Sequence, residues 1–167
     1  VYGALLDSIY IHSRALDGVS DELYELAGHQ VEAAMGIWRE RDQGIWEARG
    51  APRHWVSSKL MCWVALDRGN RLARARGDAA RADRWGDEAE AIRADILEHG
   101  VSERGVFRQH YETEELDAST LLVPLVRFLP PDDPRVRATV LAIADELTEN
   151  GLVLRYRVAE TDDGLHG

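Results

Sequence analysis

The sequence predicts an all-α fold of about six helices. Apolar residues recur three and four positions apart over most of its 167 residues, which is the spacing that lines one face of a helix. Turn-forming pairs (Asp17-Gly18, Gly77-Asp78, Pro130-Pro131 and Asn150-Gly151) interrupt the stripes at helix-length intervals. Period-two alternation is confined to short segments.

Gly3 to Leu16 places Leu5, Leu6, Ile9 and Tyr10 on one face, and Asp17-Gly18 ends that helix. Ser20 is placed to cap a second helix whose stripe runs through Leu23, Leu26, Ala27, Val31, Ala34 and Met35 toward Trp38. A third helix is predicted from about Trp55 to Arg76, with Leu60, Trp63, Val64, Leu66 and Leu72 inward. Its arginines, Arg68, Arg71, Arg74 and Arg76, read as a solvated face. A fourth runs from about Ala80 to His99 on Trp85, Ala89, Ile92 and Ile96, with Gly100 as its C′ residue.

Gly105 to Tyr111 alternates like an extended segment or short hairpin. Leu116 to Phe128 reads as a fifth helix that stops at Pro130-Pro131, and Pro134 opens a sixth that reaches about Glu149. Leu152 to Val158 is short and extended, and Thr161 to Gly167 is a polar turn. Six helices in succession suit a toroid, a solenoid or a bundle. No fixed period links them, which disfavours tetratricopeptide-like arrays.

The formal charge of −10 argues against a phosphate-backbone binder, so no nucleic-acid partner is expected. No apolar run reaches membrane-span length. The single cysteine, Cys62, sits in the apolar run Leu60 to Leu66 and reads as a buried structural thiol, compatible with a reducing, cytoplasmic setting. The six histidines lack metal-ligand spacing, and Glu112, Glu114 and Glu115 read as a solvated acidic turn, so no metal or cofactor is expected.

The stretch Asp42-Gln43-Gly44-Ile45-Trp46-Glu47-Ala48-Arg49-Gly50 carries the chemistry. Glycines on both sides allow tight turns. The tryptophan supplies an apolar plate with a polar N–H at its edge. A carboxyl group against such a plate loses hydration and keeps its proton nearer neutrality. Lysozyme's general acid, a well-known example, works in that way. Trp38, Trp46, Trp55 and Trp63 fall around this loop. Trp38 and Trp63 read as core, whereas Trp46 and Trp55 suit either stacking or packing. The alternative is a non-catalytic helical interaction module in which Trp46 and Glu47 merely hold a loop in place.

The same stretch, followed by His54-Trp55-Val56-Ser57-Ser58-Lys59-Leu60-Met61-Cys62-Trp63-Val64-Ala65-Leu66-Asp67-Arg68, resembles bacterial members of glycoside hydrolase family 15. These are glucoamylase-like and trehalase-like enzymes. Val1-Tyr2-Gly3 is similar to the family's Tyr-Gly-Glu helix start, with Ala4 in place of the acid. Leu116-Asp117-Ala118-Ser119, Pro124-Leu125-Val126-Arg127-Phe128, Asp133-Pro134-Arg135-Val136, Leu154-Arg155-Tyr156-Arg157 and Asp163-Gly164-Leu165 also resemble the family.

The resemblance implies part of an (α/α)6 toroid, with residues 1–167 lying in one catalytic domain. It implies inverting hydrolysis of terminal α-glucosidic bonds by two carboxyl groups roughly 6.5–9.5 Å apart. Glu47 corresponds to the general acid, in a dry pocket walled by tryptophan. Trp46, Arg49, Trp55, Lys59 and Arg155 correspond to substrate-binding positions, although phenylalanine is commoner where Trp55 stands. The family's general base belongs to a later Gly-Asn-Phe-Pro-Gln segment, which is not in this sequence. The expected partners are therefore an α-glucoside or oligosaccharide and the remainder of the catalytic domain. The isolated chain is expected to hydrolyse α-glucosides negligibly, and to self-associate through helix faces left uncovered.

Overall fold

A computed structural model describes residues 1–16 and 18–158. It divides into two compact units, one made of Val1–Arg39 with Lys59–Ala94, the other of Glu40–Ser58 with the described residues from Asp95 onward.

The first unit holds α1 (Tyr2–Ala15), α2 (Asp21–Ile37) and most of α3 (Val56–Arg76) and α4 (Ala79–His99). Ser20 caps α2 as expected, its hydroxyl accepting from the Leu23 N–H at 3.2 Å. The core is built from Leu6, Ile9, Ala27, Val31, Leu60, Trp63, Val64, Leu66, Trp85 and Ile92, all buried. Full burial of each large side chain contributes roughly 1.5–3 kcal/mol. The polar edges of the buried aromatics end on acids. Trp38 Nε1 donates to Glu88 (2.5 Å), Trp85 Nε1 to Glu32 (2.8 Å) and the Tyr24 hydroxyl to Asp78 (2.9 Å). Burial works against the Glu88 charge, but the donors from Trp38 and Arg39 outweigh it and hold this carboxyl below its ordinary range.

The predicted stripes need three corrections here. Leu5 and Leu26 are exposed, because the buried face of α1 runs through Gly3, Leu6 and Ile9 and that of α2 through Tyr24, Ala27 and Gly28. Arg68 is not solvated: it is buried, with Nε donating to Asp7 Oδ1 at 2.7 Å and Nη1 paired with Asp67. Its paired charge is what permits burial. Cys62 is only half-buried.

The second unit contains a 3₁₀ turn (Ala118–Leu121), the one-turn α5 (Leu122–Leu125), α6 (Pro134–Glu146) and a hairpin of β1 (Thr148–Glu149) and β2 (Leu152–Val153). Val106, Leu116, Ala142, Ile143 and Leu147 form a buried cluster. The Phe107 N–H is satisfied by Thr139 Oγ1 at 2.9 Å, which itself donates to Arg135 O at 2.7 Å.

The expected helix over Leu116–Phe128 is a correction. Asp117 is extended and accepts from the Ser119 N–H, Pro124 has no N–H to donate, and Arg127 has a φ of +61°. The sixth helix ends at Glu146 rather than about Glu149, because Asn150 and Gly151 (φ +51° and +81°) turn the β1–β2 hairpin. Gly100 does not take the left-handed C′ conformation; a β-carbon there would sit 2.7 Å from Ile96 O and 3.0 Å from Val56 Cγ2, so close packing requires it. The alternation of Gly105 to Tyr111 appears as two isolated bridges, Val101 with Phe107 and Trp55 with His110. The predicted turn from Thr161 to Gly167 lies outside the described residues.

Candidate active site

The glycine-bounded loop lies in the second unit and is closed at its neck. Asp42 and Arg53 pair through both backbone hydrogen bonds, at 3.0 and 2.9 Å. Asp42 Oδ1 accepts from the Gly44 N–H (2.7 Å) and from Ser58 Oγ (3.0 Å), which fixes where the turn begins. Gly44 has a φ of +70°, and its α-carbon lies against the Trp55 indole. The Ala48 N–H then donates to Gln43 O at 2.8 Å, and the Glu47 N–H to Gly44 O at 3.3 Å. Glu47 itself adopts a φ of +53°, an uncommon conformation for a residue with a β-carbon.

Trp55 is the floor. It is buried, its Nε1 donates to Asp42 O (3.0 Å), and its ring meets His110 edge-on at 5.2 Å. Burial lowers the His110 pKa, opposed by Glu112 and reinforced by Arg53. The chain before Val56 is laced to the segment around His110: the Val56 N–H donates to Gln109 O (3.1 Å) and the Tyr111 N–H to His54 O (3.1 Å). Tyr111 stacks between His54 (5.6 Å) and His99 (5.4 Å) and donates its hydroxyl to Asp95 at 2.6 Å. Burial raises its pKa well above the usual phenol, and Asp95 adds to that.

Trp46 is half-buried, and its Nε1–H is shared between the two oxygens of Asp117, at 3.0 and 3.1 Å. Asp117 is 1% exposed and also accepts from Gln109 Nε2 (3.2 Å) and the Ser119 N–H (2.7 Å). Glu47 and Arg49 are exposed, and among the described residues neither side chain has a hydrogen-bond or ion-pair partner. The described residues hold the Glu47 carboxyl out on the loop.

Arg155 is exposed, with its guanidinium 5.0 Å from the Tyr156 ring centre and its carbonyl accepting from the Ala118 N–H at 2.8 Å. Lys59 belongs to the first unit, where it is buried with its ammonium donating to Trp38 O. Thus Trp46, Glu47, Arg49, Trp55 and Arg155 lie within one unit and Lys59 does not. Sequence reasoning missed the supports of the loop: Asp42, Ser58, Gln109 and the side chain of Asp117.

A solvent-facing carboxyl and guanidinium, presented on a turn pinned by two tryptophans, can each hydrogen-bond a polar ligand. The profile of glycosyl hydrolases family 15 matches residues 3–167. The chain belongs to that family. Among its relatives, a trehalase of Mycobacterium tuberculosis is 62% identical over 167 residues, covering 100% of this chain and 25% of that protein. A trehalase of Mycolicibacterium smegmatis is 58% identical over the same span, again 25% of its length. Trehalase 2 of Sulfolobus acidocaldarius is 36% identical over 159 residues. The family 15 chain thus spans about a quarter of the length of these curated relatives.

Solved structures agree. A wild-type glycosidase and a glycosidase in complex with glucose each superpose with a TM-score of 0.81 and 25% identity, over 93% of this chain and 41% of theirs. The helices of this family 15 chain are therefore part of an (α/α)6 toroid. No helix of the described residues is long and apolar enough to cross a membrane.

Proposed function

We propose that this chain contributes the proton donor of an inverting α-glucosidase of the trehalase type, with Glu47 as the general acid. The observation that carries this reading is the pinned loop: an exposed carboxyl in left-handed backbone, beside an anchored indole, with no intramolecular partner among the described residues. The trehalase relatives supply the choice of substrate class. Arg49 and Arg155 are proposed to hydrogen-bond sugar hydroxyls, and the half-buried Trp46 to offer an apolar face to a sugar ring. Trp55 is proposed to serve from beneath, as the plate on which Gly44 rests. Lys59, which donates to the last residue of the α2 cap, is proposed to hold Trp38 rather than the sugar.

In this reading the Glu47 carboxyl protonates the departing glycosidic oxygen. A base outside these residues draws a proton from water on the opposite side of the ring. Inversion at one anomeric carbon of α,α-trehalose yields one β- and one α-glucose per turnover. Residues 1–167 are proposed to form part of a single catalytic domain. Its remaining helices would cover apolar side chains such as Leu125 (74% exposed) and Leu141 (66% exposed), which would otherwise drive self-association. The single cysteine, Cys62, fits a reducing, cytoplasmic setting.

The test is Glu47→Gln in the intact protein, with trehalose hydrolysis followed by NMR of the anomers. The expected result is a rate loss of about 10²–10⁴-fold, the usual contribution of a general acid. The unmodified protein should release equal initial amounts of the two anomers. A variant that keeps its rate within a few-fold, or release of the α anomer alone, overturns the proposal.

A further inference from the structure

We propose that Asp117 is a positioning residue for the Glu47 loop, acting through the indole N–H of Trp46; this rests on the reading of Glu47 as proton donor. The relationship joins residues 71 apart in sequence, Trp46 and Asp117. Every described donor to the Asp117 carboxyl is an N–H: the Trp46 indole on both oxygens, Gln109 Nε2 on Oδ2 and the Ser119 backbone on Oδ1. A group facing three donors must accept with both of its oxygens, and a carboxylate does so. An asparagine in its place would set an NH₂ against one of them.

Asp117 is itself fixed before the loop reaches it. Its carbonyl accepts from the Thr120 N–H (3.0 Å) and from Thr120 Oγ1 (2.7 Å), and the next residue, Ala118, donates its N–H to Arg155 O (2.8 Å). Gln109 is 3% exposed and tied by its backbone to both Glu115 (2.8 Å) and Val56 (3.1 Å). A rigid, buried acceptor therefore meets a half-buried ring on an otherwise solvent-facing loop. Trp46 is covalently next to Glu47, and the turn between them is closed by the bonds from Glu47 to Gly44 and from Ala48 to Gln43. Holding the indole thus sets the orientation of position 47. The same contact places an Asp-Ala-Ser segment and the Arg155 carbonyl in one network with the loop, so that Arg155 and Glu47 are referenced to a common anchor.

The experiment is a double-mutant cycle in the intact protein, with Asp117→Ala and Trp46→Phe, the latter keeping an aromatic plate and deleting the N–H. Each single variant is expected to lower kcat by about 100-fold, the cost of misplacing a reacting group by about 1 Å, with KM changed less than about threefold. The double variant is expected to be no slower than the slower single one, since both remove the same link. The alkaline limb of kcat/KM, which reports the proton donor, should shift in both single variants and no further in the double. Losses that multiply in the double variant, or that fall on KM with the limb unmoved, overturn the proposal. Should Asp117→Ala be recovered unfolded, Asp117→Asn replaces it in the same cycle under the same criteria. The two readings fail separately: an active Glu47→Gln variant sinks the proton-donor assignment, whereas an inactive one with a multiplicative cycle sinks only the role of Asp117.

Discussion

Gly44 rests with its α-carbon on the face of Trp55, so close that a β-carbon would sit 2.7 Å from indole Cδ2. Its φ of +70° adds a second demand for glycine at the same position. Gly44→Ala should therefore lower unfolding free energy by about 2–5 kcal/mol, the sum of backbone strain and overpacking. Gly151→Ala is the control, because that glycine shares the positive φ but has nothing within 4 Å of where a β-carbon would stand. It should cost only about 1–2 kcal/mol. Urea unfolding of the two variants checks the difference, and equal losses would remove Trp55 from the account.

Arg68 gives a second test. Its guanidinium is buried and paired with Asp7 and Asp67. Arg68→Met keeps much of the apolar stem but leaves Asp7 without its cation and Asp67 with Arg71 alone. The expected destabilisation is roughly 3 kcal/mol, as for other broken buried pairs. A change under about 0.5 kcal/mol, the behaviour of a surface arginine, would support the solvated face that the sequence suggested.

Thr139 gives a third. Thr139→Val preserves shape but strips the buried Phe107 N–H of its acceptor. A loss of about 1–3 kcal/mol is expected in thermal or urea unfolding, since a buried donor left unmet is costlier than the bond itself. Thr139→Ser, which restores the oxygen, should recover part of it.

The pH dependence of the second unit should carry the signature of His110. Burial depresses its pKa below the unfolded value of 6.5. The unfolded chain then binds the proton more readily, so this contribution to stability is complete above that value. It declines as pH falls from there through the folded pKa. Unfolding free energies at about pH 7.5 and about pH 5.5 should differ less in His110→Gln than in the unmodified protein. An identical slope in both would show that other groups set it.

The sequence made the four long helices and α6 legible because each carries one continuous apolar stripe. Leu60, Trp63, Val64, Leu66, Trp85 and Ile92 are all buried, as their spacing required. Leu116–Phe128 misled for the opposite reason: Leu116, Val123, Val126 and Phe128 are buried around an irregular path while Leu125 is exposed, and an Asp117 turn and Pro124 overrule the period. The loop that carries Glu47 could be read from its glycines and its neighbouring tryptophan. The partner of that tryptophan could not, since no local pattern announces a bond from Trp46 to a carboxylate in a distant turn.

The φ of +53° at Glu47 also has a thermodynamic meaning. A glycine there would relax the turn by about 1 kcal/mol. Glu47→Gly should thus yield a loop that resists unfolding better while offering nothing to a sugar. Under the proposed proton-donor role, the main chain carries that cost for the sake of the carboxyl the bend presents.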